Sequence, residues 1–226
     1  SEVRDAIWDQ RDQDNPAPGF GGKWASNAKL LHERGLDPYA VWISEAMLQQ
    51  TRVATVLPYF AAWLEALPTV QALAAADEAR VLKLWEGLGY YSRARNLLRA
   101  ARIIVEQHGG QLPADPEAFG ALPGVGPYTR AAVLSIAFGH DLPLVDGNVR
   151  RVLARLTALE HDPRRPPGSR HVEQLAAELL PPGTAAVHNQ ALMELGALVC
   201  TPRAPDCGVC PLAGPCAARR AETPTD

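Results

Sequence analysis

The chain has 226 residues, a formal net charge of −3 and an apolar fraction of 47%. This length allows one large domain or two small ones with a substantial core, and the apolar fraction is typical of a soluble globular protein. No apolar run reaches the roughly 20 residues that a bilayer-spanning helix needs, which excludes a transmembrane role. The negative net charge argues against nucleic-acid binding, but 19 of the 22 cations are Arg, and they cluster at 93–102, 150–155 and 164–170. Each cluster alone is typical of a solvated helix face; together, near Gly-rich turns, they favour a phosphate-binding face.

The spacing of apolar residues predicts an all-α protein. Apolar residues recur at helical intervals along nearly the whole chain, and period-2 alternation is rare. Asp77 and Asp115 are predicted N-caps, and residues 9–26, rich in Asp, Gly and Pro, are predicted to be irregular. Of the eight to ten helices expected, the clearest are Pro38–Gln50, Thr51–Leu64, Asp77–Leu84, Ser92–Gln107, Tyr128–Phe138, Asn148–Leu159, Ser169–Leu180 and Ala185–Leu198.

The first predicted helix carries a carboxylate among apolar residues. Glu45 shares a helical stripe with Val41, Trp42 and Leu48. A carboxylate in such a place is costly unless it is paired or protonated, and desolvation raises a carboxyl pKa. Two interpretations are open from these residues: a general acid that stays protonated near neutrality, or a carboxylate paired with an Arg in the fold.

A glycine-containing hairpin, Leu122 to Thr129, separates two predicted helices. Gly124 and Gly126 permit a tight turn, and the helix that follows begins with unpaired N–H groups. Such groups bind an anion without a positive side chain, so the hairpin is predicted to hold a DNA phosphate and to position the duplex without reading its sequence. The alternative is an ordinary corner between two helices.

Asp146 directly precedes another predicted helix, whose inward face begins at Val149. A lone Asp at such a position is most simply an N-cap. A functional carboxylate can use the same position, since the helix N-terminus favours its ionised form.

All four cysteines lie near the C-terminus of the sequence, at positions 200, 207, 210 and 216. Disulfides are disfavoured because no export signal is recognisable and the cysteine-free body does not resemble a small secreted scaffold. Four thiolates this close in sequence can bind either zinc or an iron–sulfur cluster, and the spacing alone leaves both open.

These segments, taken in order, resemble the helix–hairpin–helix DNA glycosylases that carry a [4Fe-4S] cluster. Within that superfamily the chain is most similar to the adenine DNA glycosylase family (the MutY type), which acts on adenine opposite 8-oxoguanine. The resemblance covers roughly residues 37–216. It rests on Asp37-Pro38-Tyr39, Val41 to Thr51, Leu84 to Tyr91, the Leu122–Thr129 hairpin, Val145 to Leu153, Asn189 to Ala197 and the cysteines.

The resemblance implies a fold and a cofactor. The expected fold is a six-helix barrel that holds the hairpin, residues 30–141, beside a helical cluster domain formed by residues 1–29 and 142–226, with the active site between them. The resemblance also favours a [4Fe-4S] cluster over zinc, with Cys200, Cys207, Cys210 and Cys216 as its ligands.

The resemblance further implies roles for individual residues. Glu45 would protonate adenine at N7 so that the base departs neutral, and Asp146 would stabilise the oxocarbenium-like sugar. Tyr128 and Asn148 would flank Asp146 and the attacking water, on a base flipped out of the duplex. Leu48 and Gln190 match base-pocket positions; Gln50, Thr51 and Tyr90 match residues at the 8-oxoguanine partner; Gly124, Val125 and Gly126 form the phosphate-binding hairpin.

Tyr128 separates the possible activities. Bifunctional relatives carry a Lys at this position, which attacks the sugar and leads to strand cleavage; here no Lys follows Lys83. The expected reaction is therefore monofunctional hydrolysis at adenine opposite 8-oxoguanine or guanine. Thymine–guanine mismatch glycosylases also carry Tyr here and are the nearest alternative, although the Met47–Thr51 run favours the adenine type. A non-catalytic, cluster-containing DNA-binding module is a third possibility.

Two features depart from the family pattern. Residues 9–36 contain no Arg-x-x-Pro-Trp-Arg-like segment, which in the family contributes to the adenine pocket. The sequence also stops ten residues after Cys216, so the C-terminal domain that recognises 8-oxoguanine is expected to be absent. The expected partner is double-stranded DNA with A:8-oxoguanine or A:G mispairs, bound by a monomer in the bacterial cytoplasm, at the nucleoid, with no membrane association.

Overall fold

The computed structural model describes residues 37–49, 51 and 53–221. All regular structure in these residues is helical, which confirms the predicted all-α class. In chain order the helices are α1 Pro38–Leu48, α2 Val53–Ala66, α3 Val70–Ala75, α4 Glu78–Leu84, α5 Ser92–Gln107, α6 Pro116–Gly120, α7 Pro127–Phe138, α8 Gly147–Thr157, α9 Gly168–Leu179, α10 Ala185–Glu194, a π-helical turn Leu195–Val199 and α11 Ala217–Arg220.

The predicted helices are present, with shifted ends in most cases. Asp77 and Asp115 are N-caps as predicted, since their carboxylates accept hydrogen bonds from the amides of Arg80 (2.7 Å) and Ala118 (2.8 Å). The clearest predicted helices do not include the three shortest ones, α3, α6 and α11, because four to six residues carry too little apolar periodicity; for α6 only the N-cap, Asp115, was predicted. The predicted irregular stretch 9–26 lies outside the described residues.

The described residues fall into two compact units that meet in sequence at Phe138 and Gly139. The domain boundaries expected from the sequence, 30–141 and 142–226 with 1–29, stay a prediction, and residues 1–29 lie outside the description. No helix in the described ranges is long and apolar enough to cross a membrane.

The first unit is built around α1. This helix packs against both α2 and α7, while α5 packs against α3 and α4. Nine successive residues of α1, Tyr39 to Met47, are buried. This burial places α1 in the core of the unit, and Asp37 caps its N-terminus by accepting a hydrogen bond from the amide of Ala40 at 3.1 Å.

The second unit is built around α8, which contacts α9, α10, α11 and the π-helical turn. The predicted helix Ala185–Leu198 changes to π geometry after Glu194. Gly196 lies against α8 so closely that a Cβ there would come within 2.6 Å of the Cβ of Asn148. π-helical turns often occur at functional sites, and this one leads directly into Cys200.

Candidate active site and cysteine cluster

Glu45 is a buried carboxyl group in the middle of α1. Its residue is 2% exposed, and Tyr128, at the start of α7, donates a hydrogen bond from Oη to Glu45 Oε2 at 3.1 Å. Burial raises the pKa of Glu45 to about 7, and the hydrogen bond from Tyr128 opposes that rise. A large share of Glu45 is therefore protonated at neutral pH, as a general acid requires.

The glycine hairpin is a tight turn directly before α7, and its contact with a DNA phosphate stays a prediction. The amide of Val125 donates to the carbonyl of Leu122 at 3.1 Å, which closes a tight turn. Gly124 has φ +78°, and a Cβ there would come within 2.7 Å of the Cβ of Asn96, so both conformation and space require glycine. Gly124 and Gly126 are exposed and α7 begins at Pro127, so the turn lies at the surface, whereas Thr129 in the first turn of α7 is buried.

Four residues predicted to contact the substrate base or its partner lie at the end of α1 and just before α5. Leu48, the last residue of α1, is half-buried, and its carbonyl accepts a hydrogen bond from the amide of Thr51 at 3.2 Å. Gln50 lies outside the described residues. Tyr90 is 64% exposed with φ +48°, a left-handed conformation that non-glycine residues rarely adopt.

Two neighbours of this segment were missed by the sequence analysis. Gln49 donates from Nε2 to Thr129 Oγ1 at 2.9 Å and so ties the end of α1 to α7. Arg93 was assigned only to a basic cluster, but its guanidinium donates to backbone carbonyls at Ala46 (2.9 Å) and Leu88 (3.3 Å). No local sequence signal marks the contacts of Gln49 with Thr129 or of Arg93 with Ala46, because each joins residues distant in the chain.

Asp146 caps α8 and uses both of its oxygens. Oδ1 accepts from the amide of Val149 at 2.7 Å, and Oδ2 accepts from Asn148 Nδ2 at 3.1 Å. Since both oxygens act as acceptors next to a helix N-terminus, the arrangement suits a carboxylate rather than a protonated acid. Asn148, predicted to accompany Asp146, thus contacts it directly.

Arg151 extends this contact toward the cysteines. Its Nη2 donates to Asn148 Oδ1 at 2.9 Å and to the carbonyl of Gly196 at 2.7 Å, while its Nε donates to the carbonyl of Cys200 at 2.8 Å. A continuous hydrogen-bonded path therefore runs from Asp146 to the backbone of Cys200. Arg151 belongs to a cluster for which the sequence favoured phosphate contact, and the structure instead engages its guanidinium with protein groups.

The loop before Asp146 is fixed from α10. Asn189 accepts on Oδ1 from the amide of Leu144 at 3.1 Å and donates from Nδ2 to the carbonyl of Leu142 at 2.9 Å. Its neighbour Gln190, predicted to contact the base, is half-buried on the same helix. The family resemblance identified Gln190, on α10, as a base-pocket residue, but it did not predict that Asn189 would fix the loop before Asp146.

The four cysteines are free and line one cavity, together with Arg155 and Arg219. The cavity has a volume of about 30 Å³. Arg155 donates from Nη1 to Cys200 Sγ at 3.3 Å, to Thr201 O at 2.8 Å, and from Nη2 to Pro202 O at 2.9 Å. No three His, Cys, Asp or Glu side chains of the described residues are placed to hold a metal ion directly. The four cysteines, none of them in a disulfide, therefore line one cavity, and four thiolates are a donor set that zinc or an iron–sulfur cluster can take.

Comparison with known proteins gives consistent results. A family model described as HhH-GPD superfamily base excision DNA repair protein matches residues 43–182. Human adenine DNA glycosylase is 47% identical over 214 residues, which are 94% of this chain and 38% of that protein. A thermostable thymine-DNA glycosylase structure superposes with a TM-score of 0.76 at 25% identity, covering 97% of this chain and 94% of the other.

A trapped endonuclease III–DNA covalent intermediate also superposes, with a TM-score of 0.71 at 24% identity, over 82% of this chain and 86% of that one. This likeness shows the fold alone. The chain spans about two fifths of the length of the curated relatives it matches at 46–47% identity.

Proposed function

The chain belongs to the HhH-GPD superfamily of base excision DNA repair proteins, and we propose that it is a DNA glycosylase that hydrolyses the N-glycosidic bond of adenine mispaired with 8-oxoguanine or guanine. The observation that carries the proposal is Glu45: a carboxyl 2% exposed, with a pKa raised by burial to about 7. A neutral carboxylic acid is the group that adenine needs in order to leave as a neutral base.

Two carboxyl groups with opposite charge states supply the chemistry. Glu45 donates its proton to the departing base, while Asp146, which accepts hydrogen bonds on both oxygens, supplies negative charge to an oxocarbenium-like sugar. Glycosidases divide the work between two carboxyl groups in the same way. Asn148 holds the orientation of Asp146 and itself is held by Arg151.

Adenine is favoured over thymine as the substrate base by the identity of the relatives and by the chemistry of the base. The relatives of 47% and 46% identity are named adenine DNA glycosylases, whereas the thymine-DNA glycosylase structure is 25% identical. Adenine also carries a ring-nitrogen acceptor, N7, that a protonated Glu45 can address.

We expect hydrolysis without strand cleavage. Tyr128 stands where bifunctional relatives carry a lysine, and its hydroxyl is hydrogen-bonded to Glu45. Lys83, the last lysine of the sequence, pairs on the surface with Glu86. The Leu122–Thr129 hairpin therefore contains no lysine that could form a Schiff base with the sugar.

The cysteine cavity is proposed to hold a [4Fe-4S] cluster. Cys200, Cys207, Cys210 and Cys216 would be the ligands, with Arg155 beside Cys200 Sγ to offset negative charge. Bound there, the cluster would act as a cross-link that fixes the loop from 200 to 216. Iron quantification against zinc, with the visible absorption of the purified protein, distinguishes the two candidate groups.

A panel of four duplexes tests the activity. Single-turnover incubations use adenine opposite 8-oxoguanine, adenine opposite guanine, thymine opposite guanine, and thymine glycol opposite adenine. Release of the base from the first two alone is expected. Release from the third would make the chain a thymine mismatch glycosylase, nicking without added alkali would contradict the monofunctional mechanism, and no release with retained binding would identify a DNA-binding module.

A further inference from the structure

We propose that Arg93 is a positioning residue that holds two DNA-contacting elements, the end of α1 and Tyr90, in one fixed geometry. This inference rests on the proposed function, because it concerns how the same protein engages the mispaired duplex. The proposal gives Arg93 a role in fixing the protein backbone, which its place in a basic cluster of the sequence does not suggest.

One side of the Arg93 guanidinium closes the C-terminus of α1. Nη1 donates to the carbonyls of Ala46 at 2.9 Å and Met47 at 3.4 Å, and also to that of Gln49. The last carbonyls of a helix have no intrahelical partners, and a cation there complements the helix dipole. Arg93 therefore sets the direction in which the chain leaves α1 toward Thr51.

The other side holds the turn before α5. Nη2 donates to the carbonyls of Leu88 at 3.3 Å and Gly89 at 3.4 Å, and the indole of Trp85 donates to the same Gly89 oxygen at 2.9 Å. This turn ends in Tyr90, whose φ of +48° is unfavourable unless its surroundings impose it. The Arg93 contacts help to impose it.

The side chain of Tyr90 itself rests on Arg93. The guanidinium carbon lies 5.4 Å from the centre of the Tyr90 ring and 5.3 Å from that of Trp85. Trp85 is fully buried, while Tyr90 is 64% exposed. The exposed ring is thus connected to the core through one planar cation, which leaves it ordered at the surface where it meets the duplex.

Only a planar fork satisfies this arrangement. The five N–H groups of arginine have a fixed geometry, whereas the ammonium group of lysine is a compact point charge. Arg93→Lys keeps the charge and loses the bridge between the two sets of carbonyls. The substitution therefore separates a positioning role from simple attraction of Arg93 to DNA phosphates.

A double-mutant cycle on duplex binding tests the proposal. In a Glu45→Gln background, which prevents turnover, the Kd for a duplex with adenine opposite 8-oxoguanine is measured for Arg93→Ala, Tyr90→Ala and the double variant. Arg93→Ala is expected to weaken binding, and the two effects are expected to be non-additive by about threefold or more.

Arg80→Ala is the matched control. Arg80 is an exposed arginine that donates to the carbonyl of Ala66, the last residue of α2, at 3.0 Å. It has the same chemical role at a helix end, and its loss is expected to leave the Kd unchanged. Melting temperatures of all variants, with binding measured well below them, separate loss of positioning from loss of folding.

The binding measurements test the role of Arg93 independently of whether the protein releases a base. Arg93→Lys is expected to bind as weakly as Arg93→Ala. Wild-type affinity in Arg93→Lys, or additive effects of Arg93→Ala and Tyr90→Ala, would overturn the positioning role. The cycle measures binding alone, so absence of base release in the wild type would refute the proposed function without affecting this test.

Discussion

The hydrogen bond between Tyr128 and Glu45 makes a prediction about pH. In the native protein, burial raises the pKa of Glu45 to about 7 while the Tyr128 hydroxyl, 3.1 Å from Oε2, holds it down. Tyr128→Phe removes the hydroxyl and keeps the ring, so desolvation acts unopposed by this contact. The pKa of Glu45 should therefore rise further in the variant.

The size of the effect follows from the contact that is lost. A hydrogen bond to a charged group contributes about 1.5–3 kcal/mol. Since one pKa unit corresponds to about 1.4 kcal/mol, the pKa should rise by about 1–2 units. The protonated form is the active acid, so base release falls as pH rises through this pKa. In a plot of the rate of base release against pH, the decline on the alkaline side (the alkaline limb) should lie near pH 7 in the wild type and at higher pH in Tyr128→Phe.

Single-turnover rates of adenine release from pH 5.5 to 9.5 measure this limb. Each profile is normalised to its own plateau, so that any loss of absolute rate in Tyr128→Phe does not affect the comparison. Tyr59→Phe, on α2, is the matched hydroxyl deletion and should leave the limb in place. An alkaline limb that stays put or moves to lower pH in Tyr128→Phe would refute the reasoning about Glu45.

Three further predictions concern stability and fold. Glu45→Gln should stabilise the protein by about 3 kcal/mol at pH 8 but far less at pH 5. The pKa of Glu45 is 4.5 when exposed and about 7 when buried, so the cost of keeping this group buried grows as pH rises from 4.5 to 7 and is fully present above pH 7. Equal denaturant midpoints at pH 8 would contradict this. Asp146→Asn should keep the melting temperature within a few degrees, because Asn also caps the amide of Val149, yet lose base release; retained release would exclude Asp146 from the chemistry. Gly196→Ala should destabilise the protein by about 1–3 kcal/mol, because its Cβ would lie 2.6 Å from that of Asn148; an unchanged melting temperature would show that the π-helical turn can shift freely.

The sequence was sufficient where local signals agree with the fold. The helix Ser92–Gln107 was predicted with the bounds that the structure gives, since its apolar face is regular and Gly109-Gly110 follows it. Asp146 was predicted both as an N-cap and as a functional carboxylate. The structure confirms that Asp146 Oδ1 caps α8. Oδ2 takes no part in the cap and accepts from Asn148, so capping leaves this oxygen for the role of a functional carboxylate.

Tertiary contacts decided what local patterns could not. The stripe containing Glu45 predicted one buried face for α1, but the helix is buried all round between α2 and α7, and Leu48 of that stripe is only half-buried. The sequence pattern placed Arg93 and Arg151 in clusters typical of solvated helix faces. In the structure, each donates to a carbonyl more than 40 residues away in the chain. The π-helical turn likewise depends on packing against α8, which no local propensity encodes.

The most direct test of the central claim is the release of free adenine from a duplex with adenine opposite 8-oxoguanine, under single-turnover conditions at pH 7, by the wild type and by Glu45→Gln. Wild-type protein should release adenine and leave an intact strand with an alkali-labile site. Glu45→Gln should bind the duplex with similar affinity and release no adenine. Adenine release by Glu45→Gln at the wild-type rate would contradict the assignment of Glu45 as the general acid.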